Sequence, residues 1–164
     1  MSVEARISPS WAGRWLLIAV SLLGFAGWYA YDAQTGYPRE NQEAAARQEA
    51  PPYSERDIAV QWMIAGGCLV LSVVVLMRLA VHFGRRWSAD ETGLRGPRGL
   101  DLSYDRITAI DKTRWDRKGI AVVHYQTPSG EAGAVKLDAW VFRGADCVLA
   151  EVERQTGLTD HLAH

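Results

Sequence analysis

The chain of 164 residues carries 18 basic and 19 acidic side chains, a net charge of −1, and this balance excludes a protein built to coat nucleic acid. Almost half of its residues are apolar, but most of these fall into two blocks, which excludes one ordinary soluble domain with an evenly spread core. Cys68 sits in one of those blocks and Cys147 in the charged C-terminal half, so no structural disulfide is expected and a reducing compartment is permitted.

Residues 1–14, with Arg6 and Arg14, precede the first block and are expected as a cytoplasmic N-terminus. The block itself, WLLIAVSLLGFAGWYAY over residues 15–31, has 17 uncharged residues, close to what a bilayer core of ~30 Å requires at ~1.5 Å per residue. Trp11 and Trp15 mark one end and Trp28, Tyr29 and Tyr31 the other, as an aromatic belt at headgroup depth would. Those bulky residues also occupy the place where a signal peptidase needs small ones, so an uncleaved anchor is expected. Residues 32–57 read as an extracytoplasmic loop: the alanine- and glutamate-rich stretch RENQEAAARQEA favours a short surface helix, and Pro51 and Pro52 would stop it before the second block.

That second block, IAVQWMIAGGCLVLSVVVLM, has 20 uncharged residues and opens a span predicted over 58–83 with its interfacial extension. On an insertion scale it gains about 3 to 6 kcal/mol and the first block about 2 to 4 kcal/mol, before polar Gln61, Ser72 and Ser21 subtract. Neither block shows the polar stripe of a soluble-bundle helix. Small residues, with Gly66, Gly67 and Ser72 on the second span and Ala26 and Ala30 on the first, are expected to bring the two helices together, and the same surface could take another protein's helix. No charge interrupts either span, so an ion pathway lacks its ionisable group. Lys and Arg count places both termini in the cytoplasm: Arg6 and Arg14 precede the first span and Arg78, Arg85, Arg86, Arg95 and Arg98 follow the second, against Arg39, Arg47 and Arg56 between them.

From residue 84 to 164 the composition changes to short β-branched and aromatic segments parted by Gly, Pro and Asp, a pattern that predicts a meander of strands. Ile120 to Thr127 is the clearest strand, with Ala121, Val123 and Tyr125 on one face and Ile120, Val122 and His124 on the other. Pro128–Ser129–Gly130 is a hairpin turn, and Val135 and Leu137 alternate with Lys136 on the return. The period then changes: Phe142, Ala145, Val148, Leu149 and Val152 fall at helical spacing, and Gly157 is placed to end that helix. One helix covers only one sheet face, so a strongly bent antiparallel sheet or small open barrel closed by the helix is expected.

The runs ADETGLRG, YDRITAID, RWDRKGIAVVHY and LDAWVFRGADCVLAEVERQTG resemble the short bacterial pleckstrin-homology-like (PH-like) domains of small two-span membrane proteins. The resemblance covers roughly the last half of the chain and rests on pattern rather than on a catalytic signature. It implies a membrane protein with an α-helical hairpin and an α+β PH-like domain, in which a strand after an acidic residue and glycine leads to an I..I strand, a long hairpin and a capping helix.

Lys112, Arg114, Arg117 and Lys118 gather around RWDRKG with Trp115 among them, a candidate contact for lipid headgroups or a partner. Asp111 and Asp116 also fit an ordinary solvated hairpin with Trp115 packed inward. His82, His124, His161 and His164 share no metal-ligand spacing, so neither a metal nor another cofactor is implied. No nucleophile and base pair and no phosphate-cradling loop is evident. The expected function is therefore a non-enzymatic scaffold at the cytoplasmic membrane surface, binding a protein partner and not nucleic acid, with a homo-oligomer possible. The alternatives are a peripheral reader of anionic lipid through the basic hairpin and an enzyme with an unrecognised site.

Overall fold

The computed structural model describes residues 2–158. They form two units: residues through Trp11 join those from His82 onward, and Ala12–Val81 make the other.

In the helical unit, α1 (Pro9–Tyr31) and α3 (Glu55–His82) are long and apolar enough to cross a membrane, by length and composition. Both are covered along a seam with a seven-residue repeat: Ala12, Ala19, Ala26 and Ala33 on the first, Ile58, Ala65, Ser72 and Leu79 on the second. A strict heptad repeat keeps one narrow stripe facing a partner helix, and alanine in it lets the backbones come close. They do so where the Ser72 Oγ donates a hydrogen bond of 3.0 Å to the Ala19 carbonyl. Seven residues along each helix in opposite directions, Ala26 and Ala65 are again both buried. The expected seam is corrected here. Gly66 and Gly67 are exposed, and a Cβ added to either would meet nothing within 4 Å. They lie about 100° and 200° around the helix from Ala65, off the contacting stripe. Ala26 and Ser72 are in the seam, and Ala30 is half-buried at its edge.

Helical structure does not stop at Tyr31. It widens into a π turn over Asp32–Gly36 and continues as α2 (Tyr37–Ala46). Pro38 near the start of α2 donates no N–H and its ring crowds the preceding turn, which a locally widened helix accommodates. The connector is then held down. Asn41 hydrogen-bonds both the N–H and the C=O of Tyr53, at 3.0 and 2.8 Å, and Tyr53 stacks on Tyr37 with ring centroids 3.8 Å apart.

In the other unit the strands β1 (Val3–Ile7), β2 (Arg86–Ala89), β3 (Leu94–Gly96), β4 (Leu100–Leu102) and β8 (Phe142–Arg143) form a five-stranded sheet in the order β4-β3-β2-β1-β8. Strands β5 (Ile107–Arg114), β6 (Ile120–Gln126) and β7 (Ala132–Asp138) form a three-stranded sheet in chain order. All pairings are antiparallel. The region is thus sheet-rich and α+β, with its strands divided between two sheets where one bent sheet or small open barrel was expected. A single turn α4 (Trp115–Lys118) joins β5 to β6, and α5 (Ala145–Thr156) packs on β1, β2 and β7. Leu94, Ile110, Val123, Leu137, Val148 and Val152 form the fully buried centre. Gly157, at φ +68°, ends α5 by returning its N–H to the Glu153 carbonyl at 2.9 Å.

The strand that sequence reasoning did not anticipate is β1. In VEARI, Val3, Ala5 and Ile7 turn inward while Glu4 and Arg6 face solvent, and Ala5 is completely buried. Val3 pairs with Ala89 and Arg6 with Arg86 on one side, and Ile7 with Phe142 on the other. The segment preceding α1 is therefore an inner strand of the sheet whose other members follow α3.

Candidate functional site

Strand directions sort the loops of the sheet unit into two ends. Because Arg6 pairs with Arg86, the chain leaves for α1 after Ile7 and returns before β2 at the same end. The turn Pro97–Gly99 lies there too, since β3 runs back from Leu94 to Gly96 and Gly96 pairs with Leu100. In the second sheet, Arg114 pairs with Ile120 and Ile120 with Asp138, so α4 and residues 139–141 share an end. A 2.8 Å backbone hydrogen bond from Ala139 N–H to the Gly119 carbonyl closes that end, and a second of 2.8 Å, from Ser8 N–H to the Val141 carbonyl, ties it to the first. We call this the junction end. The far end carries residues 90–93 and 103–106, joined by the Tyr104 hydroxyl on the Asp90 carbonyl.

Charge follows the same division. At the junction end are Arg85, Arg98, Arg114, Arg117 and Lys118, opposed by Asp116, whereas the far end carries Asp90, Glu91 and Asp105, opposed by Arg106.

The predicted basic cluster is split by the fold. Lys112 forms a 2.8 Å ion pair with Glu153 on α5. Trp115 is half-buried and packs against the core. Arg114, Arg117 and Lys118, with Thr113, instead rim an open hollow of about 190 Å³ and make no ion pair among the described residues. The residue that sequence reasoning missed is Trp140, which is 62 % exposed. Its ring lies over Gly119, where an added Cβ would come within 3.1 Å of Trp140 Cδ1. The run AGAVKLDAW reads as one strand ending in a tryptophan, but β7 stops at Asp138 and frees Trp140 from the sheet.

Two larger depressions flank the first sheet. One, of about 630 Å³, runs from Arg85, Trp87 and Arg98 at the junction end of the first sheet to Tyr125 and Lys136 on the second. Lys136 pairs with Asp138 at 3.0 Å, while Arg85 and Arg98 have no ion pair among the described residues. The other, of about 530 Å³, lies on the outward face of β1 to β4 and is lined by Glu4, Arg86, Ser88, Asp90, Arg95 and Asp101. Its charges neutralise one another: Arg95 meets Asp90 at 2.8 Å, and Arg6 beside the groove holds Glu4 at 2.8 Å. Hydrogen bonds from the Thr92 hydroxyl and N–H, helped by Arg95, hold the Asp90 carboxyl down at about 2. Burial, with the Glu151 and Asp90 charges adding to it, pushes the Tyr104 phenol up to about 12, and its hydroxyl donates to the Asp90 carbonyl at 2.6 Å.

Both cysteines are free thiols, and among the described residues no three His, Cys, Asp or Glu side chains gather as metal ligands. His161 and His164 lie outside the described residues. No family model, curated protein or solved structure matches the chain.

Proposed function

We propose that the chain is a membrane-anchored, non-enzymatic interaction module that presents a PH-like domain at the cytoplasmic surface of the inner membrane, with both termini in the cytoplasm and a protein as its partner. The observation that carries this reading is β1. A strand that precedes α1 can sit between β2 and β8, which follow α3, only if both ends of the helical hairpin emerge on one side. Arginine count then selects the cytoplasmic side. Apolar side chains facing away from the hairpin seam, such as Leu17, Phe25, Met63 and Val70, are more than half exposed within the chain, as lipid contact requires.

Support for a PH-like domain comes from strand order. With β1 included, four strands in chain order form a meander, three more form the second sheet, and a helix follows, while the spans sit within the β1–β2 connection. A non-enzymatic role is supported by the way the perturbed carboxylates are used: Asp90 and Asp111 accept hydrogen bonds from Thr92 and Thr113 in their own turns, and Asp90, on the 530 Å³ depression, is also paired with Arg95.

The test uses Cys147, exposed on α5. A membrane-impermeant maleimide should modify it in inverted inner-membrane vesicles and leave it unmodified in intact spheroplasts. Labelling in spheroplasts would overturn the orientation. Affinity capture of the full chain in mild detergent should retain a stoichiometric protein partner, and its absence would remove the interaction role.

A further inference from the structure

We propose that the outer edge of β7 is a strand-addition site, where an extended acidic segment of the protein partner pairs with the backbone at Ala132, Ala134 and Lys136 while its carboxylates meet Arg85 and Arg98. The inference names the chemistry of the partner for the interaction module proposed above and rests on that reading.

Three observations carry it. The first is which backbone groups are left over. Thr127 N–H reaches the Glu131 carbonyl, Ala139 N–H reaches the Gly119 carbonyl, and the β6–β7 register runs between those bonds without a slip. Hydrogen-bonded pairs alternate along an antiparallel ladder, so the odd-numbered residues of β7 bond to β6 and the even-numbered ones turn their N–H and C=O outward. Among the described residues nothing bonds to the backbone of Ala132, Ala134 or Lys136 on that side.

The second is that this edge is undefended. Free edges in native sheets are kept short, bulged or broken by proline. Of the four edges of the two sheets, β4 and β8 have three and two residues and β5 carries two register irregularities. By contrast β7 is evenly paired over seven residues without a proline, and its one lysine, Lys136, is drawn along the strand to Asp138.

The third is the space beside it. The depression of about 630 Å³ is lined by Ala134 and Lys136 of β7 and, from the first sheet, by Arg85, Trp87 and Arg98. A strand added to β7 lies ~4.8 Å beyond it, on the side of its unbonded groups. Among the described residues no carboxylate lines the depression, and Arg85 and Arg98 make no ion pair, so the complementary segment is acidic. A second copy of β7 would bring a further lysine to the same arginines.

The full chain in phosphatidylcholine nanodiscs is titrated with fluorescein-Thr-Glu-Val-Glu-Val-Glu-Thr-amide and with the same peptide carrying Lys for Glu, binding being read by anisotropy and the site by amide hydrogen exchange. The acidic peptide should bind below about 1 mM and more tightly than the lysine peptide. At saturation the amides of Ala132, Ala134 and Lys136 should exchange about tenfold more slowly, while those of Val135 and Leu137, already bonded to β6, stay unchanged. Arg85→Ala and Arg98→Ala should each weaken binding about fivefold, and Arg98→Glu should narrow the difference between the two peptides. Ala134→Pro, which removes an outward N–H and spares the ladder to β6, should abolish the slowing. Equal binding of both peptides, no binding up to about 1 mM, slowing on β5 instead of β7, or slow exchange of the three amides without peptide, which marks an edge taken by a second copy, overturns the strand-addition site. When affinity capture still retains a stoichiometric protein, the edge alone falls; when it retains none, the interaction reading itself falls.

Discussion

Ser72 is completely buried between helices that are otherwise apolar, and its hydroxyl is satisfied by a backbone carbonyl whose own helical bond it shares. In hydrocarbon such bonds average about 0.6 kcal/mol, so Ser72→Ala should cost little in dodecyl-sulfate titration of the bicelle-reconstituted chain. Ala26→Leu, which forces a branched side chain into the same seam, should cost about 1–3 kcal/mol. Gly66→Leu, pointing outward, should stay within about 0.5 kcal/mol, an ordering that an equal loss at Ala26 and Gly66 would contradict. In the sheets, a Cβ on Gly93 would lie 2.3 Å from the Leu102 carbonyl oxygen, a backbone atom that cannot rotate away. Gly93→Ala should therefore destabilise the sheet unit by about 1–3 kcal/mol in thermal denaturation. Two carboxylates make stability acid-sensitive. Asp90 is lowered from 3.8 to about 2 by its Thr92 bonds, and Glu151 from 4.5 to about 2 by the Arg154 guanidinium and the Gln155 amide. Because both are depressed in the folded state, their stabilisation is fully present above the ordinary carboxylate range and is lost as pH falls toward about 2. The chain should lose stability across that interval, and Asp90→Asn with Glu151→Gln should flatten the loss in acid titrations followed by tryptophan fluorescence.

At the scale of elements, β1 makes the sharpest prediction. Ala5→Asp places a carboxylate at a position with no exposure, between two paired strands, at a cost of several kcal/mol. It should render the sheet unit sensitive to trypsin while the chain still resists carbonate extraction, whereas Glu4→Ala, on the outward face, should leave digestion unchanged. Elements with a local signature were legible in advance. The stripe Ala145, Val148, Leu149 and Val152 is buried as its period demands, although Phe142, expected with it, lies in β8 ahead of the helix; Gly157 ends the helix, and Pro128–Gly130 turns β6 into β7. β1 was not, because five residues of alternation are too short to stand out and the partners lie some eighty and more residues away. The alanine repeat at 12, 19, 26 and 33 is written plainly in the chain, but the unbroken run of small residues from Ala65 to Cys68 on α3 points to Gly66 and Gly67 instead. Of the candidate contact residues, Arg114, Arg117 and Lys118 could be found from local charge. Trp140 could not, since its exposure depends on where β7 stops and its neighbours come from another hairpin.

For the whole molecule, Arg6 and Arg86 being paired means that β1 and β2 are a hairpin whose connection happens to contain the helical unit. Joining Ile7 directly to Arg85, its counterpart in the β1–β2 register, through a two-residue Asn-Gly turn in place of the intervening residues should yield a folded, water-soluble domain with dispersed amide resonances. A fragment that merely begins at Arg85 lacks an inner strand and leaves β2 and β8 with open edges, so it should aggregate. Equal behaviour of the two would contradict the place assigned to β1.

The same pairing sets an order of events during synthesis. VEARI leaves the ribosome first, yet Arg86 follows Ile7 by 79 residues, an interval of about 4–16 s at ordinary translation rates. Through that interval the strand has no neighbour, and it acquires both only after the two long helices and the chain through Arg143 have been made. A chain in which VEARI and the residues after His82 are kept apart can never complete the sheet, which makes assembly of the domain a built-in check that both ends of the helical hairpin have come together.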